Sequence, residues 1–263
     1  MRTNFHVATV CAVFVALPSL ASAQDKLAFS TAVDMNYKRL TLTAVSGTTT
    51  NEFRPELWTL GVSPSLAYRR VFLSLGFERT LGEGSTTGYI TNGTVWSDRR
   101  YTRSENNGTL GYNLWEGLSV FGGYLNNVTK TTFTNFTVGS AGLLSYGAAK
   151  NQEYGPYCGL GYSHQFGQTG SVAASYPYLK GTGRFTQDIP SNASNSQFRS
   201  QVSDGDVTGS SFGLSWSAPL AGSVYYRLGY KGTRYDFTFV DATGNQRRKQ
   251  NYDALVLGIA NYF

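Results

Sequence analysis

The sequence predicts an all-β chain folded as a transmembrane antiparallel up-and-down β-barrel of about ten strands, with eight or twelve as the neighbouring counts. Three observations carry that prediction. Bulky apolar and small residues alternate with period two along most of the chain. After Ala23 no stretch has the length or apolarity of a membrane-crossing helix. The polar segments between the alternating runs are by turns short and long, the habit of barrels with tight turns at one rim and larger connections at the other.

The first residues read as an export signal. Met1-Arg2 supplies a basic start, Val7 to Leu17 is an almost unbroken apolar run, and Pro18 breaks it. Ala21-Ser22-Ala23 then offers small residues at the two positions a signal peptidase reads. The run is too short for a membrane helix, which takes roughly 20 residues. We therefore expect residues 1–23 to be a cleaved secretory signal peptide and residues 24–263 to form one barrel domain. Arg2 is the only charged residue in that signal, so cleavage before Gln24 takes the formal net charge from +6 to +5.

Composition agrees with a sheet. The chain has 18 Tyr and 16 Phe, and aromatic and charged residues each make up 14 %. Many Gly, Ser, Thr and Asn with few Lys and Glu disfavour helices. Cys11 leaves with the signal, so Cys158 stands alone and no internal disulfide can form. If the chain sits in lipid it must close on itself, because hydrocarbon offers nothing to pair a free backbone N–H or C=O.

The strands follow in order. Leu27, Phe29, Val33, Met35 and Tyr37 alternate with Ser30, Ala32, Asp34, Asn36 and Lys38. Trp58, Leu60, Val62, Leu66 and Tyr68 alternate with Thr59, Gly61, Ser63, Ser65 and Ala67. Val71, Leu73, Leu75 and Phe77 alternate with Ser74, Gly76 and Glu78; Phe212, Leu214 and Trp216 alternate with Ser211, Gly213 and Ser215. Tyr226, Leu228 and Tyr230 alternate with Arg227, Gly229 and Lys231. In the last segment Leu255, Leu257, Ile259 and Phe263 share one parity, and Ala254, Val256, Gly258 and Ala260 the other.

A soluble sandwich also alternates, but its outer face is charged. Here the polar face is Gly, Ser and Ala with isolated charges, while the apolar face ends in aromatics. That polarity suits a narrow lumen and a lipid band with interface girdles. Short connections are expected at Tyr68-Arg70, Trp115-Gly117, Gly167-Gly170 and Ala218-Gly222. Long ones are expected near 46–54, 82–97, 134–152, 186–204 and 241–249. Four short turns and five long loops join ten strands and leave both termini at the turn end.

Few residues offer chemistry. With His6 in the signal, His164 is the only histidine left, and its parity with Leu160, Tyr162 and Phe166 turns it outward at the short-turn rim. An imidazole there suits the headgroup level, and it has no neighbouring carboxylate to orient it as a base. We expect no catalytic residue, no metal ligand set and no cofactor. The inward charges Asp34, Lys38, Glu78, Arg103, Glu105, Arg227 and Lys231 must either neutralise one another in a packed network or line a water-filled passage. At about ten strands side chains can nearly fill the bore, so both remain open. Arg247-Arg248-Lys249 in the last long loop and Arg99-Arg100 beside the second form a basic patch. It could attract lipopolysaccharide phosphates or an anionic partner, or simply be solvated loop charge. Nucleic acid is not expected, since the positive excess is small and scattered. Cys158 shares parity with Leu160 and should face lipid.

The export signal, the alternating strands and the aromatic end at Tyr262-Phe263 together resemble the small outer-membrane β-barrel proteins of Gram-negative bacteria, a broad group with OmpA-like, OmpX-like and narrow porin-like members. The resemblance implies residence in the bacterial outer membrane, contact with its lipid and lipopolysaccharide, and delivery by the barrel assembly machinery. Leu257, Ile259, Tyr262 and Phe263 would be the assembly signal, with Asn261 departing from the usual apolar residue. It covers the chain architecturally and singles out no subfamily. Three functions follow in order of expectation: a porin-like barrel passing small polar solutes, a structural or surface-binding barrel engaging a partner through its outer loops, and, last, a hydrolase.

Overall fold

The computed structural model describes residues 27–46, 49–90, 95–137, 144–167, 169–190, 198–241 and 244–263. The expected signal peptide and its cleavage site lie outside them. Twelve strands run in chain order: β1 (Leu27–Ser46), β2 (Thr49–Phe53), β3 (Glu56–Tyr68), β4 (Val71–Thr80), β5 (Gly84–Ile90) and β6 (Val95–Trp115); then β7 (Leu118–Thr137), β8 (Leu144–Gln165), β9 (Ser171–Pro190), β10 (Phe198–Ala221), β11 (Val224–Asp241) and β12 (Gly244–Tyr262).

Ten of them form a closed antiparallel ring. Each pairs with the next around the sheet, and β12 closes on β1 from Ser30↔Tyr262 to Val45↔Arg247. β2 and β5 stand outside that count, as short extensions hydrogen-bonded to the far ends of β1 and β6. The ten-strand expectation therefore holds. Closure leaves no strand edge unpaired, the one way a sheet can be stable in hydrocarbon.

The turns gather at the rim where β1 starts and β12 ends. Arg69-Arg70, Glu116-Gly117, the segment around Gly167 and Gly222-Ser223 make them. Gly117 has φ 78°, and a Cβ there would lie 2.2 Å from the Ser163 carbonyl, whose residue donates its own N–H back to Gly117 O at 2.7 Å. Only glycine fits that left-handed, crowded position. β10 continues to Ala221 through a register shift after Pro219, so its turn is two residues long rather than the wider one expected. At the chain end, Ser223 Oγ donates to Asn261 Oδ1 at 2.7 Å. The polar residue that breaks the apolar row thus ties the last strand to the β10–β11 turn.

Period two sorts side chains as the sequence suggests. Leu257 and Ile259 are 52 % and 53 % exposed on the outside, while Ala254, Gly258 and Ala260 are buried within. Aromatic pairs bound the outer apolar band. Phe29–Phe263 and Phe166–Trp216 lie at the turn rim, with centroids 5.5 and 5.9 Å apart, while Tyr225–Tyr262, at 5.0 Å, has the inward parity and stands at the turn end of the bore. Tyr37–Trp58, at 5.1 Å, marks the opposite edge.

Beyond that edge the strands continue. A membrane strand needs about 9–11 residues, yet β8 has 22 and β10 has 24. Much of what was expected as long loops is ladder. β7 and β8 stay paired up to Phe136↔Leu144, β9 and β10 up to Pro190↔Phe198, and β11 and β12 up to Asp241↔Gly244. The reason is physical. Above the lipid the outer face is polar and the apolar side chains, such as Phe133, Phe185 and Phe237, turn inward, so the greasy-outside period that marks a lipid-facing strand is lost.

Candidate functional site

The interior holds two ion clusters. Nearer the turns, Arg227 on β11 donates through Nε to Asp34 Oδ1 at 3.1 Å and pairs through Nη2 with Oδ2. Gly258 lies between them in register, opposite Asp34 on β1 and Arg227 on β11. A Cβ there would meet Asp34 Oδ1 at 2.0 Å. Glycine at 258 is thus the gap across which the pair closes.

Higher up, five charges share one network. Lys38 Nζ lies 2.6 Å from Glu78 Oε1 and 2.8 Å from Glu105 Oε1. Arg103 Nε meets Glu105 Oε1 at 2.6 Å, and its Nη2 meets Glu153 Oε2 at 2.9 Å. Thr59 donates to Glu78, and Arg103 Nη1 to Thr129. Glu105 and Glu153 are each 1 % exposed. Tyr252 stands in the middle, with Lys38, Arg103 and Lys231 at 5.5, 5.8 and 5.8 Å from its ring centroid. All seven inward charges expected from parity do face the lumen. Glu153 joins them although the sequence does not single it out: it follows directly on the polar stretch 134–152, where no alternation of apolar and small residues marks a strand.

Glu153 lies above the lipid-facing band, where its strand shows Gln152 and Lys150 outside. Burial pushes its carboxyl up to about 7, against the opposing pull of Arg103. Arg103 already holds the ionised Glu105, so a second charge beside it gains less than its desolvation costs.

Apolar layers fill the remaining bore. Leu40, Leu125, Leu179, Val207, Tyr235 and Tyr252 form one buried cluster inside the cylinder with Tyr157, Phe185 and Phe237. Tyr157 Oη on β8 reaches over Gly123 of β7 to hydrogen-bond Thr109 Oγ1 on β6. The packed alternative of the two left open for the inward charges is the one that these contacts describe.

The basic patch is corrected. It is not a loop cluster: Arg99 and Arg100 lie on β6, and Arg247, Arg248 and Lys249 on β12, where strand pleat sends neighbours to opposite faces. Arg100 points out, 3.5 Å from Glu83, as does Lys249, 3.8 Å from Asp236. Arg99 and Arg248 turn into the outer end of the lumen. The Arg99 guanidinium lies 3.8 Å from the Phe53 ring centroid and 5.4 Å from that of Phe133; Arg248 lies 4.1 Å from Phe185. The side chain of Arg247 lies outside what is described. His164 is exposed and meets Phe166 edge-on at 4.7 Å, and Cys158 is exposed on the lipid side, both as expected. Among the described residues no group of His, Cys, Asp and Glu has the arrangement of a metal site.

No protein-family model and no curated protein sequence matches the chain. Solved structures do. The chain is similar to the outer membrane protease OmpT of Escherichia coli, with 10 % identity over 91 % of this chain and 97 % of that one and a TM-score of 0.64. It matches less closely the toluene transporter TodX of Pseudomonas putida (11 %, 98 % and 95 %, 0.38) and the translocator domain of the autotransporter NalP of Neisseria meningitidis (11 %, 89 % and 88 %, 0.42). At such identities the likeness is one of fold. The chain has the fold of an outer-membrane β-barrel.

Proposed function

We propose that this outer-membrane-type barrel is a sealed, non-enzymatic surface module of the bacterial outer membrane, which anchors a rigid polar β-cylinder and presents its outer end to a partner. The carrying observation is the coincidence of a blocked bore with strands about twice the membrane-spanning length. Lys38, Glu78, Glu105, Arg103 and Glu153 neutralise one another at 2.6 to 2.9 Å, with Tyr and Leu packed around them. A conducting pore spends its inner charges on water and solute; here they are spent on one another. Outside the lipid, the strand faces carry compensated charge, such as Arg39–Glu56, Arg184–Asp204 and Arg234–Asp253, at 3.0 to 3.1 Å. That surface suits a cylinder standing in water.

The porin-like reading rests on the same inward charges, and planar bilayers separate the two. Refolded protein is expected to leave the bilayer silent. Steady ohmic steps that shift in Arg227→Ser or Lys231→Ser would replace the sealed module with a narrow channel. The hydrolase reading has no histidine inside the barrel among the described residues, since His164 faces outward beside Phe166. Peptide or lipid turnover that disappears in His164→Ala would revive it.

A further inference from the structure

Asp34, Glu78, Glu105 and Glu153 belong to the two clusters deep in the bore. Above them Arg99 and Arg248 turn into the lumen. Arg99 is held flat against Phe53 and Phe133, donates through Nε to Ser97 Oγ at 3.0 Å, and has no carboxylate partner among the described residues. A guanidinium stacked on rings keeps its edge N–H groups available to a planar oxyanion. Burial lowers its proton affinity, and the only group pulling the other way is the Tyr101 phenol.

A second observation points to the same place. Gln250, only 2 % exposed, has an Nε2 with no hydrogen-bond partner. It shares a ladder rung with Leu42 and Phe53, the ring under Arg99. Two strand spacings put the β12 and β2 backbones about 10 Å apart on that rung. Arg248 is the next inward residue of β12 above Gln250. Two guanidinium groups and an unsatisfied amide donor thus line one end of the lumen, and both arginines keep part of their surface accessible. A buried amide donor beside two cations suits a ligand that brings acceptor oxygens and negative charge.

We propose that the outer mouth of the lumen binds a small soluble molecule through its oxyanion, phosphate or carboxylate, held by Arg99, Arg248 and Gln250. This names the chemistry of the partner that the sealed-module reading calls for, but binding in detergent is measured independently of conduction, so either can fail alone.

Tripolyphosphate is the probe, titrated calorimetrically into the refolded full-length mature chain, with citrate run in parallel. Saturable one-to-one binding is expected, weakened at least tenfold in Arg99→Gln and in Arg248→Gln and partly kept in Arg99→Lys. Arg100→Gln and Lys249→Gln, which change the outer face, should bind as the parent does. The retarded gel mobility of unheated protein confirms that each variant is folded. Absence of saturable binding overturns the proposal, as does binding that ignores Arg99 and Arg248 and follows Arg100 or Lys249. Displacement of tripolyphosphate by lipid A micelles would overturn the soluble ligand, since lipid phosphates sit at membrane level outside the cylinder.

Discussion

Arg103 is the residue on which the inner network turns. Among the described residues it alone pairs with both Glu105 and Glu153, so Arg103→Leu takes from Glu153 its ion-pair partner and leaves Glu105 to Lys38. The expected loss is about 3–5 kcal/mol, the usual penalty for removing one partner of a buried pair, read by urea unfolding of detergent-refolded protein. Exposed Lys249→Gln should cost less than about 0.5 kcal/mol. Equal losses in the two variants would refute this ranking. Glu153 adds a pH signature. The folded barrel holds its proton up to about pH 7, whereas an unfolded chain releases it near 4.5. Between those values the folded state binds more protons, so its contribution is full below 4.5 and fades as pH rises through 7. The unfolding midpoint should therefore fall from pH 5 to pH 7.5, and Glu153→Gln should flatten that slope. A parent protein with no slope in this window would contradict the assignment.

At the scale of elements, the outer halves of β7 to β10 distinguish ladder from loop. Backbone pairing of Thr182 with Asp206 and Tyr154 carries no apolar signal, yet it satisfies each N–H as fully as pairing within lipid does. Amide exchange over residues 181–186 and 203–208 should be slowed at least about a hundredfold against the unfolded chain, as for cooperative ladder elsewhere. Exchange there at open-loop rates would remove the tall cylinder. The hairpins β1–β2 and β5–β6 matter for another reason. They carry Phe53 and the strand beside Arg99 into the mouth, so they build the candidate site rather than merely capping the ring.

At the scale of the molecule, height and closure act together. Strands of about 20 residues, rising roughly 3.3 Å per residue and tilted, outreach a hydrocarbon core of about 30 Å. The projecting part is held by the continuous ladder from β6 through β12 to β1, with β2 and β5 each added to it along one edge. Rigidity then depends on filling the bore, and the ion network with its Tyr252-centred packing does that. Under the proposed sealed-module function, a silent bilayer is the expected result for the whole molecule.

The alternating rows determined the ring and the inward face of Asp34, Lys38, Glu78 and Arg227, and the spacing of short turns and long connections pointed to about ten strands, with eight or twelve beside it. In lipid one side of a strand must be greasy, and period two writes that demand into the chain. Three things waited for the tertiary structure: the ladder above the membrane, the recruitment of Glu153, and the inward turn of Arg99 and Arg248. Above the membrane the polarity reverses, with Tyr235 and Phe237 inside and Asp236 and Thr238 facing water, so the greasy-outside rule stops applying there and only pairing across the closed sheet decides which way a side chain points.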